Sequence, residues 1–277
     1  MSETLRATFR RVLRLENRRG GIRHGRLERI PAFASEILGN TRQVTVYLPP
    51  GYDDKDEARY PVLYMQDGQN LFDAHRAFVP GNHWSLREAA DTVIGERTAA
   101  PMIIVGIDHA GPARVDEYTP EKDPKHSGGG RAGDYARMLI EELKPMIDTR
   151  FRTLPDPEHT AIGGSSLGGL VSLYLAFTFP HVFRRAAVMS PSVWWSGRTI
   201  LGYAGSYEGR PPRLWLDIGG REGAEALRDT RELRDRIQKK GWDEETFRYY
   251  EDRRGDHSER AWARRVRQTL EFLFPPA

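Results

Sequence analysis

The sequence predicts an α/β protein, a mostly parallel central sheet with helices on both faces, and three observations carry that expectation. Short β-branched and aliphatic runs recur along the chain, each closed by turn residues. In the second half these runs alternate with segments of helical period. The runs are near-continuously apolar, as strands must be when helices dry both faces of a sheet.

In chain order, Asn17 to Leu38 reads as an antiparallel edge region leading into the sheet. Gln43 to Leu48 is a strand stopped by Pro49-Pro50-Gly51, Tyr60 to Met65 a strand stopped by Asp67-Gly68, and Met102 to Ile107 a strand stopped by Asp108. The stretch from Ala110 to Gly133 carries Pro112, Pro120, Pro124 and a run of glycines. It is long for a plain connection and is expected at the rim of a site. Helical period marks Tyr135 to Ile147, Leu167 to Phe179, Glu225 to Lys240 and Ser258 to Phe274, with Ser258 placed to cap the last of these. Between them lie the strands Thr160 to Gly163, Ala186 to Ser190, Leu214 to Ile218 and Thr246 to Tyr250. No repeat or low-complexity linker interrupts the pattern, so residues 1–277 are expected to form one domain, with residues 1–20 a basic arm or helix.

Composition narrows the function classes. A chain of 277 residues that is 39% hydrophobic can bury a sizeable core. The net charge of +3 is a small imbalance between 42 basic and 39 acidic residues, which predicts no nucleic-acid partner. The first thirty residues hold nine arginines against Glu3, Glu16 and Glu28, the pattern of a solvated arm or helix face. The chain has no cysteine, which removes disulfides, thiolate metal sites and cysteine nucleophiles together. Met1 to Asn17 lacks an uninterrupted apolar stretch and nothing approaches the length of a membrane span, so a soluble, cytoplasmic protein with no membrane partner is expected. Whether it forms a homo-oligomer is left open.

The most informative segment is Gly163-Gly164-Ser165-Ser166-Leu167-Gly168-Gly169, set between the run Thr160 to Ile162 and the helical Leu170 to Phe179. A Gly-x-Ser-x-Gly turn in a strand-turn-helix context is a nucleophile elbow, the feature of the α/β-hydrolase fold that lifts a serine hydroxyl above the sheet edge. Glycines two before and two after select Ser166 over Ser165. The amide of Leu167 then faces the same spot as the hydroxyl, at the positive end of the following helix. A serine needs a base, and in this fold the chain order is serine, acid, histidine. Only His181 and His257 follow Ser166; His181 comes too early to have an acid-bearing strand before it, which leaves His257. The acid is expected after Leu214 to Ile218, and Glu222 in Gly219-Gly220-Arg221-Glu222-Gly223 is the choice. Asp217 would lie within the strand, Glu225 and Asp229 on the next helix, and Asp256 is a sequence neighbour of the histidine and poorly placed to orient it. The second oxyanion donor is expected in Gln66 to Asp73, where Gly68 frees the chain to turn the amide of Gln69 inward; a plain Asp-Gly turn explains the same residues.

Beyond the elbow, Tyr47-Leu48-Pro49-Pro50-Gly51-Tyr52, Asp67-Gly68-Gln69-Asn70-Leu71-Phe72, Gly106-Ile107-Asp108, Arg114 with Glu117-Tyr118-Thr119-Pro120, Ser190-Pro191-Ser192-Val193-Trp194-Trp195, and His257 ahead of Trp262 occur in order. With them the chain resembles the putative esterase family that includes enterochelin esterases, esterase D and feruloyl and acetyl carbohydrate esterases. The resemblance implies hydrolysis of a carboxylic ester through a serine-bound acyl intermediate, with a small-molecule ester as substrate. It also implies a substrate-side place for Arg114, Glu117, Trp194 and Trp195, which otherwise hold the long loop and pack. The additional N-terminal domain of true enterochelin esterases is not evident, so the resemblance to esterases is firmer than that to siderophore hydrolases.

No cofactor or metal is expected. Gly128 to Gly133 fits a Gly-x-Gly-x-x-Gly pattern literally but follows Lys125-His126-Ser127 and no strand. Asp53-Asp54-Lys55-Asp56 lacks the spacing and final glutamate of a calcium loop, and His75, His83 and His109 lack metal-ligand spacing. Two other activities keep the same fold: acyl transfer to an alcohol, as in mycolyltransferases, and ligand binding without catalysis.

Overall fold

A computed structural model describes residues 24–54 and 57–276; the basic segment 1–20 lies outside the described residues. Eight strands make one sheet: β1 (Arg26–Ser35), β2 (Asn40–Leu48), β3 (Val62–Gln66), β4 (Ile103–Ile107), β5 (Thr160–Ser165), β6 (Arg185–Met189), β7 (Arg213–Gly219) and β8 (Phe247–Asp252). Their order across the sheet is β1-β2-β4-β3-β5-β6-β7-β8. β1 pairs with β2, and β2 with β4, antiparallel; every pairing from β4 to β8 is parallel. This is the mostly parallel sheet that the alternation of runs predicts, in the α/β-hydrolase arrangement that the elbow motif adds.

Burial explains the composition of each strand. Every residue of β3, β4 and β5 is buried, as central parallel strands covered on both faces require. β1 alternates exposed and buried positions and shifts register between Ile30 and Phe33, where Pro31 has no amide to give to the ladder. It supplies the antiparallel edge that the sequence suggests.

Among the described residues, four helices have ten or more residues: α1 (Leu86–Gly95), α2 (Leu167–Thr178), α3 (Ala224–Gln238) and α4 (Glu259–Leu273). One apolar layer gathers Val171 and Leu175 of α2, Leu233 and Ile237 of α3, and Tyr135, Leu139 and Ile147 against one sheet face. The opposite layer gathers Leu86 and Val93 of α1 with Trp262, Val266 and Leu270 of α4. Helix α1 is a finding beyond the sequence reading. Its buried face is only Leu86, Ala90, Asp91 and Val93, a thin apolar stripe on a short segment. The segment expected as one helix over Tyr135 to Ile147 runs from Ala132 to Arg150, with a wider π-helical stretch at Met138–Leu143. Among the described residues, no helix is long and apolar enough to cross a membrane.

Candidate active site

The C-terminal ends of β3, β4, β5 and β8 all feed one cavity of about 500 Å³, lined by Gln69, His109, Arg114, Ser166, His257 and Trp262 among others. A cavity of about 590 Å³ lies at the other end of the sheet, between Arg213, Trp215, Arg248 and Phe272. It brings together no serine and histidine.

Ser166 sits between β5 and α2 with φ 58° and ψ −124°, a conformation that costs a residue with a side chain about 1–3 kcal/mol. The turn is possible because the chain around it is bare. A Cβ on Gly164 would lie 2.9 Å from the Gln66 side chain and from the Gly168 carbonyl carbon, and one on Gly168 would lie 3.0 Å from Gln66 Cβ. The strained turn is held from below, where the Ser166 amide donates to the Met189 carbonyl at 3.1 Å. The Ser166 hydroxyl is 3.3 Å from that of Ser192, the third residue beyond the end of β6. Leu170 N–H to Ser166 O, at 3.0 Å, is the first rung of α2, so the Leu167 amide stands ahead of the helix ladder.

In the same cavity lining, His257 is held by Glu222, its Nδ1 2.7 Å from Glu222 Oε2. The His257 side chain is 47% exposed, whereas that of Glu222 is only 2% exposed. The imidazole edge meets the Trp262 ring at 5.0 Å and 83°, which fixes its plane. Ser258 caps α4 as expected, its hydroxyl accepting from the Ala261 amide at 3.3 Å. Asp256 takes the Ser258 hydroxyl at 2.5 Å and not the histidine.

Glu222 is gripped by more than its histidine. Its Oε1 accepts from the Ser190 hydroxyl at 2.6 Å and from the Gly219 amide at 2.7 Å. Burial pushes the Glu222 carboxyl up, but the hydrogen bonds from His257 and Ser190, the charge on His257 and the Gly219 amide outweigh it and hold the group below its ordinary value. The Ser190 hydroxyl is in turn filled as an acceptor by Trp262 Nε1 at 3.0 Å and Arg265 Nη2 at 2.8 Å, so its own proton is directed at Glu222. Beneath lies Asp217, fully buried, 3.2 Å from Arg265 Nη2 and accepting from Trp215 Nε1 at 2.8 Å. Burial, with some help from the Glu222 charge, pushes its carboxyl up to about 6 against the pull of Arg265 and its hydrogen bonds. Ser190, Asp217 and Arg265 form a support that sequence reasoning does not assemble, although it meets Ser190 and Asp217 singly.

Gln69 opens into the cavity on the short turn Gly68–Asn70 after β3. The hydrogen bonds of that turn are Asn70 N–H to Asp67 O at 2.9 Å and Leu71 N–H to Gly68 O at 3.2 Å, which leaves the Gln69 amide outside the ladder. Gly68 is required by its neighbour strand: a Cβ there would lie 2.5 Å from the Gly106 carbonyl carbon and 2.6 Å from the Ile107 nitrogen. Asp67, at φ 55°, is clamped through both oxygens by Arg114, with Nε to Oδ1 at 2.7 Å and Nη2 to Oδ2 at 2.8 Å. The Arg114 guanidinium also lies 5.0 Å from the Tyr118 ring centroid.

The remaining expected residues fall elsewhere. Glu117 does not line the cavity: it is 1% exposed and holds Arg42 through both oxygens, at 2.8 and 2.9 Å, and Asn40 at 2.8 Å. Its carboxylate ties the long loop to β2, and the substrate-side place implied for it gives way to that structural one. Trp195 is buried, donating from Nε1 to the Glu121 carbonyl at 2.7 Å. Trp194 is 46% exposed beside His126 and Trp195, outside the cavity lining. The long loop does reach the site, through Gly111, Pro112, Arg114 and Val115. Among the described residues, no group of three or more His, Asp or Glu is placed to hold a metal.

A serine on an elbow, a carboxylate-oriented histidine and two amides outside the backbone ladders are the parts needed for acyl chemistry. Comparison with known proteins agrees in family: the profile described as "Putative esterase" matches residues 35–273. The chain belongs to that esterase family. Membership places it among carboxylic ester hydrolases. An uncharacterized protein YbbA of Bacillus subtilis is 25% identical over 252 residues, covering 87% of this esterase and 95% of the relative. Ferri-bacillibactin esterase BesA, also of Bacillus subtilis, is 31% identical over 166 residues, 52% of each chain. An endo-1,4-beta-xylanase/feruloyl esterase of Xylanibacter ruminicola is 29% identical over 174 residues, 60% of this chain but 21% of the relative. Among solved structures, the BES protein from Bacillus cereus superposes with a TM-score of 0.73 at 22% identity, over 90% of this chain and 94% of that one. That likeness concerns the fold.

Proposed function

We propose that this esterase cleaves carboxylic esters by serine catalysis, with Ser166 as nucleophile, His257 as base and Glu222 as the orienting acid. The observation that carries the reading is the Glu222–His257 contact of 2.7 Å, in a cavity whose wall also holds the elbow serine. His257 takes the Ser166 proton as the hydroxyl attacks the ester carbonyl, and the amides of Leu167 and Gln69 hold the oxyanion. His257 then passes the proton to the departing alcohol, leaving an acyl-serine. Water attacks that ester with His257 again as base, and the acid and free serine are released. The names of relatives point to two ester classes for trial, siderophore esters and feruloyl esters.

The test is turnover of p-nitrophenyl acetate together with labelling by a fluorophosphonate. Wild type should do both and Ser166→Ala neither. A Ser166→Ala protein with undiminished turnover removes the proposal.

A further inference from the structure

We propose that His109 is a specificity-determining residue that selects acyl groups carrying an oxygen acceptor over plain alkyl groups of the same length. The inference rests on the ester-hydrolase reading of the same cavity.

His109 follows β4 and lines the cavity. Two hydrogen bonds fix it. Its backbone amide donates to Gln69 Oε1 at 3.4 Å, tying it to the loop that presents the second oxyanion amide. Its Nδ1 accepts from the Gly111 amide at 2.9 Å. A backbone N–H can only donate, so Nδ1 must carry the lone pair, and the neutral ring then has its single proton on Nε2. Gly111, at φ 59°, bends the chain back to make that bond. The ring is thus a donor of set polarity, with Nε2 the polar atom left for the contents of the cavity.

On that flank the Arg114 guanidinium and the side-chain oxygens of Asn70 and Gln69 are engaged. Arg114 gives its fork to Asp67, Asn70 Oδ1 accepts from the Phe78 amide at 2.8 Å, and Gln69 Oε1 accepts from His109 itself. The sheet order decides which part of the ester this flank meets. From Ser166 after β5, His109 lies toward β4 and His257 toward β8, on opposite sides. The leaving alcohol must be within reach of His257, which protonates it, and the carbonyl oxygen within reach of Leu167 and Gln69. The acyl group is therefore the part directed to the His109 side.

The experiment compares kcat/KM for p-nitrophenyl methoxyacetate and p-nitrophenyl butyrate, an isosteric pair in which an ether oxygen replaces a methylene. Each ratio is divided by the ratio for hydroxide hydrolysis, which removes the intrinsic reactivity difference. His109→Asn places an acceptor where Nδ1 was, keeping the bond to Gly111 and deleting Nε2. His109→Gln places an amide near the Nε2 position and loses the Nδ1 acceptor. Wild type should show a corrected ratio of about fivefold to tenfold in favour of methoxyacetate, the worth of one hydrogen bond. The ratio should fall to about one in His109→Asn and be partly kept in His109→Gln. A wild-type ratio near one, a wild-type ratio retained in His109→Asn, or loss confined to His109→Gln overturns the proposal and leaves a loop-capping role. Absence of turnover of either ester by wild type, with no fluorophosphonate labelling of Ser166, takes down the ester-hydrolase reading and this proposal together.

Discussion

Replacing Glu222 by Gln changes one atom and should cost far more than its size suggests. In the proposed mechanism His257 becomes an imidazolium in the transition state, and its Nδ1 is 2.7 Å from Glu222 Oε2. At that separation a unit charge pair is worth about 6 kcal/mol at an effective dielectric of about 20 and about 1.5 kcal/mol in bulk water. The carboxylate is almost wholly covered and the imidazole is about half exposed, so a value of about 3 to 4 kcal/mol is reasonable, or about 10²- to 10³-fold in rate. The hydrogen bonds add a second penalty. Ser190 Oγ–H and Gly219 N–H both donate to the Oε1 position, so the oxygen of a glutamine amide must sit there. The amide NH₂ then faces His257 Nδ1, forces it to accept, and drives the imidazole proton to Nε2. A ring in that tautomer cannot take a proton from Ser166. The expected outcome is a loss in kcat for p-nitrophenyl acetate of about 10³-fold or more at pH 7, with a slowed rate of fluorophosphonate labelling and little change in melting temperature. A Glu222→Gln enzyme within tenfold of wild type would refute both the assignment of the acid and the argument from donor polarity.

Three further outcomes follow from the same geometry. Gly68→Ala must displace either β4 backbone or its own loop, because its Cβ would meet Gly106 and Ile107 at 2.5 and 2.6 Å; kcat should fall by about 10²-fold through the Gln69 amide, and steady-state kinetics showing a change in KM alone would contradict it. Arg114→Lys keeps a charge but loses the fork on Asp67, so a fall in kcat of about tenfold with KM nearly unchanged is expected; a rise in KM at constant kcat would restore Arg114 to the substrate side. Asp217 titrates at about 6 in the folded chain and at about 3.9 unfolded. Its raised pKa means that the native state binds the extra proton, so this contribution to stability is complete below about pH 4 and is lost as pH rises through about 6. Urea unfolding between pH 4 and 7 should show the stability of wild type relative to Asp217→Asn falling as pH rises through about 6, and a difference that is flat with pH would contradict it.

What could be read from the sequence is what covalent order and steric exclusion dictate. Ser166 is legible because its strained φ demands bare neighbours at Gly164 and Gly168, which are fixed offsets along the chain. His257 is legible by chain order, and Glu222 because a parallel strand such as β7 must deliver its following turn to the same sheet edge. The support beneath Glu222 is different in kind. Ser190 follows β6, Asp217 lies in β7 and Arg265 belongs to α4, and they meet only because the sheet places β6 beside β7 and α4 packs across both. No spacing rule links residues 190, 217 and 265, so Arg265 reads in the sequence as one more helical arginine. Glu117 and Arg114 show the same limit from the other side. Both are charged residues on one long loop, three positions apart; one closes a buried pair with Arg42 on β2 and the other reaches the cavity through Asp67. Polarity alone cannot separate them, because which partner each charge finds is decided by where β2 and β3 lie in the sheet, a long-range property. The site is therefore most predictable at the residues proposed to react and least predictable in the charges that hold them. The properties least readable from sequence, the polarity of the hydrogen bonds on Glu222 and the raised pKa of Asp217, are those that the Glu222→Gln and Asp217→Asn experiments test.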